Sequence, residues 1–97
     1  MLARDQIRAI AREIDRTADA RMRQPLGEVA GREALWEAVR RACRAIETVA
    51  ELEQDDLAHE DRTRKARYVV SELETALEAA RKARSTIEWT MPRMPDV

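Results

Sequence analysis

Residues 32–91 read REALWEAVRRACRAIETVAELEQDDLAHEDRTRKARYVVSELETALEAARKARSTIEWTM and contain neither glycine nor proline. Apolar side chains recur in this stretch at alternating steps of three and four, which is the spacing of a coiled-coil seam and predicts long helix. The seam positions are Leu35, Ala38, Ala42, Ala45, Val49 and Leu52 in the first half and Ala66, Val70, Leu73, Leu77, Ala80 and Ile87 in the second, with Val39, Ile46 and Val69 beside them.

The middle of this stretch, residues 53–65, is almost entirely polar and offers no face to bury. A turn near residues 54–57 gives an antiparallel hairpin, with Asp55 or Asp56 capping the second helix. One continuous helix of about 90 Å, burying its seam only against other chains, also fits the pattern. The hairpin is favoured, because a polar segment is tolerated at an exposed tip and destabilises an intermolecular seam.

A shorter amphipathic helix is predicted before the hairpin, over residues 3–22. Its apolar stripe consists of Ala3, Ile7, Ile10, Ala11, Ile14 and Ala18. The helix must end near Arg23, because Pro25 disfavours helical geometry in Gln24. Pro92 acts in the same way on the last helix and leaves residues 90–97 as an extended tail.

The expected fold is therefore all-α, in a single domain over residues 1–97. We expect a long antiparallel hairpin of helices at about 27–55 and 57–89. The helix at 3–22 is expected to pack along it, giving a three-helix, coiled-coil-like bundle.

Composition agrees with this fold class and restricts the function. Charged residues make up 38% of the chain and hydrophobic ones 44%, phenylalanine is absent and the net charge is −1. With this net charge, the chain has no overall electrostatic field that would favour binding to nucleic acid or to a membrane. Cys43 is the only cysteine, so no intrachain disulfide can form, and its apolar neighbours predict a small buried side chain. No apolar leader or membrane-spanning stretch is present, so a cytoplasmic protein is expected.

The residues that usually carry catalysis are scarce. The single histidine, His59, is far in sequence from Cys43, and the chain has only two glycines. No metal set, nucleophile–base pair or phosphate loop can be assembled from them, so we expect no enzyme, no catalytic residues, no metal and no cofactor. Much of the charge is explained by acid-first pairs four residues apart on one helix, namely Glu60–Arg64, Asp61–Lys65 and Glu78–Lys82.

Four arginines, Arg4, Arg8, Arg12 and Arg16, recur every four residues and form a basic ridge beside the stripe of the first helix. Such a ridge can follow a phosphate backbone, so nucleic-acid binding through these side chains is the alternative function. Asp5, Asp15 and Asp19 interrupt that side, and no aromatic residues are interleaved for base stacking.

The preferred function is a small non-catalytic protein–protein interaction module, an adaptor or inhibitor-like accessory protein acting through helix faces and the C-terminal tail. The predicted partner-binding residues are Trp36, Trp89, Met91 and Met94, of types that interfaces favour. A seam built on alanine gives each chain little apolar area, which predicts a homodimer. Its simplest form is two-fold, with two hairpins making a four-helix layer flanked by the first helices.

Overall fold

The computed structural model describes residues 1–24 and 31–90, and these form three α-helices without a strand. The helices are α1 (Arg4–Arg23), α2 (Arg32–Glu51) and α3 (His59–Thr90). Lys65 meets Glu51 near the connection of α2 and α3, while Ala83 lies against Gly31 at the far end. The predicted antiparallel hairpin with a shorter N-terminal helix is thus confirmed, and the continuous long helix is excluded.

Both ends of α1 follow from local chemistry. The Gln6 side-chain oxygen accepts a hydrogen bond from the backbone N–H of Ala3 at 2.8 Å, which satisfies one of the free amides at the helix start. At the other end, Gln24 has φ −75° and ψ 126°, an extended conformation. This confirms the helix stop predicted from Pro25.

The start of α2 depends on Gly31, which has φ +75° in the left-handed region. Its carbonyl accepts the first hydrogen bond of the helix, from the N–H of Leu35 at 3.0 Å. A Cβ at this position would lie 2.9 Å from the carbonyl oxygen of Ala83 and 3.0 Å from Ile87. Glycine therefore allows α2 to begin directly against α3. The predicted start at residue 27 lies outside the described residues.

The hairpin tip differs from the prediction. Helix α2 ends at Glu51, four residues early, and α3 begins at His59, with Ala58 accepting the first bond from the Arg62 N–H at 3.0 Å. The predicted cap by Asp55 or Asp56 is wrong, because both residues precede the helix by more than two positions. Arg62 instead donates to the carbonyl of Leu52 at 2.8 Å and to that of Gln54, so a guanidinium from α3 satisfies the carbonyls after α2.

Helix α2 lies in the middle of the molecule. It packs against both α1 and α3, whereas no Cα atoms of α1 and α3 come within 8 Å of each other in the described ranges. The described part measures 64 × 25 × 22 Å. Helices α1 and α3 flank α2 without packing on each other, and we call this arrangement the layer.

Candidate interaction surface

The interior of this layer is made of small side chains. The buried apolar residues are Ala11, Ala18, Cys43, Ala45, Ala50, Ala76 and Ala83, joined by Thr48 and Glu72. No large apolar side chain among the described residues is fully buried. The helices pack closely, but the leucines, isoleucines and valines that usually supply most of a core remain partly exposed.

Those larger side chains lie together on one side of the layer, which we call the apolar face. Its members are Ile7, Ile10 and Ile14 of α1, Leu35, Val39, Ile46 and Val49 of α2, and Val70, Leu73 and Leu77 of α3. Within each helix they are spaced by threes, fours and sevens and therefore share one side. Eight of them are 43–54% exposed, and Ile7 and Val39 are half-buried.

The apolar face corrects the predicted seam. Leu35, Val49, Val70, Leu73 and Leu77 were expected to interlock between α2 and α3, but each keeps about half of its surface exposed. The line of contact between α2 and α3 is rotated about the axis of each helix. It lies on the small and charged residues that are described above as buried. The spacing correctly identified an apolar side of each helix, but most of that side faces outward in the single chain.

A groove joins the three helices on the apolar face. It is lined by Ile7 of α1, by Ile46 and Val49 of α2 and by Leu73 of α3, with Ala45, Ala50 and Val69 at its floor and edges and Glu53 at its rim. A second depression lies nearer the start of α2 and is lined by Leu35, Trp36 and Val39, with Arg32 at its rim. Each apolar groove therefore carries one charged residue, and the two charges are opposite.

The energy available on this face is large relative to the stability of a small domain. Burying the exposed half of one such aliphatic side chain contributes about 1 kcal/mol, so burying the eight half-exposed members contributes roughly 8 kcal/mol. Domains of this size are stable by about 5–15 kcal/mol in total. Covering the apolar face is therefore comparable with the whole folding free energy.

The opposite side of the layer is ionic. Between α1 and α2, Arg12 pairs with Glu47 at 2.6 Å and Arg40 with Asp15 at 3.2 Å. Glu51 joins all three helices, because its carboxylate oxygens lie 3.6 Å from Arg8 of α1 and 2.7 Å from Lys65 of α3. A cleft on this side is lined by charged residues and by Tyr68.

The predicted basic ridge lies partly within that network. Arg8 and Arg12 hold α1 to α2 through Glu51 and Glu47. Arg4 pairs with Asp5 at 3.7 Å and Arg16 with Glu13 at 3.6 Å, both within α1. Each of the four arginines thus has a carboxylate partner, and two of the four positions connect helices.

Of the four predicted partner-binding residues, Trp36 and Trp89 fall within the described part of the chain. Trp36 is half-buried in the second depression, whereas Trp89 is 85% exposed near the end of α3. Met91 and Met94 lie outside the described residues. Sequence reasoning missed Arg32 and Glu53, the charged rims of the two grooves, because residue spacing does not show which charges border an apolar surface.

Cys43 is 5% exposed, as a small buried side chain should be. Burial raises the pKa of its thiol, and the negative charge of Asp15 raises it further. The thiol therefore stays protonated at neutral pH.

Over residues 1–24 and 31–90, no cluster of three histidine, cysteine or acidic side chains suits a metal ion. No helix within these ranges combines the length and apolar character needed to cross a bilayer.

Comparison of the chain with known protein families, with curated proteins and with solved structures gave no match.

Proposed function

We propose that this chain is a non-catalytic protein–protein interaction module, an adaptor or inhibitor-like accessory, whose binding surface is the apolar face. The observation that carries the proposal is the distribution of side chains: mostly alanines lie inside, and ten large aliphatic residues lie together outside, eight of them about half exposed. Contiguous apolar patches of this kind typically mark sites of association. The exposed Trp89 offers a second contact near the end of α3.

The arrangement of charge supports protein as the ligand. Nucleic acid requires arginines and lysines that are free to replace counterions along a phosphate backbone. Here Arg8 and Arg12 pair with acids of α2, and Arg4 and Arg16 each lie within 4 Å of an acid of their own helix, so carboxylates interrupt the basic ridge. The apolar face gains its free energy from dehydration, which another protein surface supplies.

Site-specific photo-crosslinking in the native host tests the proposal. A benzophenone amino acid replaces Leu73 on the apolar face in one variant, and Tyr68 in the ionic cleft in the matched control. The two sites lie on α3 and are 49% and 43% exposed. We expect protein adducts from position 73, including adducts to a second copy of the chain, and few from position 68.

The competing function has its own signature in the same experiment. Nuclease-sensitive material bound to the chain, and lost with Arg4→Gln and Arg16→Gln, would contradict the proposal. These two substitutions remove ridge charges without breaking a pair to α2. Adducts from position 68 and none from position 73 would also contradict it.

A further inference from the structure

We infer that the apolar face is closed by a second copy of this chain, turned by a two-fold axis so that the two α2 helices cross antiparallel. This inference rests on the proposed function, since it takes the apolar face as a protein-binding surface and names what binds there. Three features of the face lead to it: its area, its charges and the small residue at its centre.

The area suits a standard interface. From Leu35 to Val49 the face extends about 21 Å along α2, at 1.5 Å per residue. The described part measures 25 and 22 Å in its two shorter dimensions, which gives the face a width of about 25 Å. The resulting area, on the order of 500 Å² in projection, is comparable with the roughly 800 Å² of accessible surface that each partner contributes to a stable complex.

The charges make the face complementary to itself when rotated. Glu53 rims the groove near the hairpin tip, and Arg32 rims the depression at the opposite end of α2. A two-fold axis that lies in the interface and runs across the middle of α2 places the tip of one copy over the far end of the other. Glu53 of each copy then meets Arg32 of its mate, and the contact occurs twice. A parallel arrangement instead places like charges together.

The middle of the face accommodates this crossing. Ala42 lies midway between Leu35 and Val49 on the same side of α2 and is half-buried. A small residue at the crossing point lets two helices approach closely, while the larger side chains on either side interlock. Leu73 and Leu77 of each α3 then complete a four-helix core, and the isoleucines of α1 lie at its borders. The side chains missing from the interior of one chain are thereby buried by two.

Sedimentation equilibrium of the full chain, with charge reversals, tests the inference. We expect the unmodified protein to be a dimer of 11.2 kDa chains at tens of micromolar. Glu53→Arg and Arg32→Glu should each weaken dimerisation about tenfold, because each reversal creates two like-charge contacts. An equimolar mixture of the two variants should form a heterodimer of unmodified strength, since both contacts become opposite again. The double variant should recover for the same reason.

Glu78→Arg is the matched control, because it makes the same charge change on α3 away from the face and should leave the dimer within about twofold. Leu77→Asp should give a monomer that keeps its helix, as judged by circular dichroism. A monomer at hundreds of micromolar overturns the inference, and so does a dimer indifferent to both reversals. Foreign-protein adducts from position 73 combined with a monomeric chain would retain the proposed function and reject the second copy.

Discussion

Glu72 is the acidic side chain that the described part of the chain buries, with 6% of the residue exposed. Its carboxylate accepts two hydrogen bonds from Arg41, at 3.2 and 3.4 Å. Arg41 in turn donates to Glu37 at 2.8 Å. This bond to Glu37 raises the pKa of the Arg41 guanidinium, against the opposing effect of burial, and Glu72 raises it further. Arg41 is therefore always charged and offsets the burial of Glu72.

The two members of this ion pair differ in burial, so removing the cation alone should cost more stability than removing both charges. Arg41→Met leaves a buried carboxylate without its cation and should lower the free energy of unfolding by about 2 kcal/mol, since Arg41 is 31% exposed and the loss is smaller than for a fully buried pair. The double variant Arg41→Met/Glu72→Met removes both charges, and its free energy of unfolding should fall by less than that of Arg41→Met. Urea denaturation of the two variants measures the difference.

Arg44→Met is the control for this prediction, because Arg44 faces Asp15 at 3.9 Å and 34% of its side chain is exposed. It should change the unfolding free energy by less than about 1 kcal/mol. If the double variant is less stable than Arg41→Met, the carboxylate does not depend on Arg41 and the account of the pair is wrong.

The ionic network shows how far residue-level prediction reaches. The spacing of residues identifies neighbours on one helix, and it therefore predicted that Lys65 forms an ion pair with Asp61. The structure places the Lys65 ammonium 2.7 Å from Glu51 of α2. The partners of Arg8 and Arg12 also lie on another helix. Such pairs depend on how α1 and α3 are placed along α2, and a single sequence does not contain that information in its periodicity.

At the scale of elements, Gly31 fixes the approach of α2 to α3. Gly31→Val should destabilise the hairpin by about 1–3 kcal/mol, because a β-branched residue is strained at φ +75° and its Cβ meets the Ala83 carbonyl. Gly31→Asn should lose less, since asparagine adopts left-handed geometry more readily. Thermal unfolding followed by circular dichroism measures both. A Gly31→Val chain as stable as the parent would contradict the required close approach.

The helix boundaries were predictable where proline dictates them and less so elsewhere. The stop of α1 before Pro25 follows from local sterics and was predicted correctly. The early stop of α2 depends on Arg62, which reaches back from α3 to the carbonyls of Leu52 and Gln54. Nothing in the sequence indicates that an arginine within a charged run binds carbonyl groups at the end of the preceding helix. The aspartates at the tip were the more obvious candidates for a cap.

At the scale of the whole molecule, the sequence predicted which residues are apolar neighbours on each helix but not which surface they cover. Leu73 and Leu77 belong to the predicted seam and nevertheless remain about half exposed. The helices of one chain meet instead through Ala45, Ala76 and other small residues. Alanine allows close helix packing on one side of a helix, and the larger side chains then lie on the adjacent side. Because the predicted seam mixes small and large residues, its spacing does not show which of them form the contact between helices.

Thermal stability should depend on the concentration of the chain. If two copies close the apolar face, unfolding is coupled to dissociation and Tm must rise with chain concentration by mass action. Each tenfold increase adds about 1.4 kcal/mol to the stability of the dimer, which for a two-chain unit of this size corresponds to roughly 3–6 °C. Leu77→Asp should unfold at a lower temperature that does not change with concentration, because its face is no longer covered by a mate. Differential scanning calorimetry over a hundredfold range of concentration measures both slopes. A parent Tm that is independent of concentration, in a chain that is fully helical at low temperature, would show that one chain is stable alone and that its apolar face is available to other proteins.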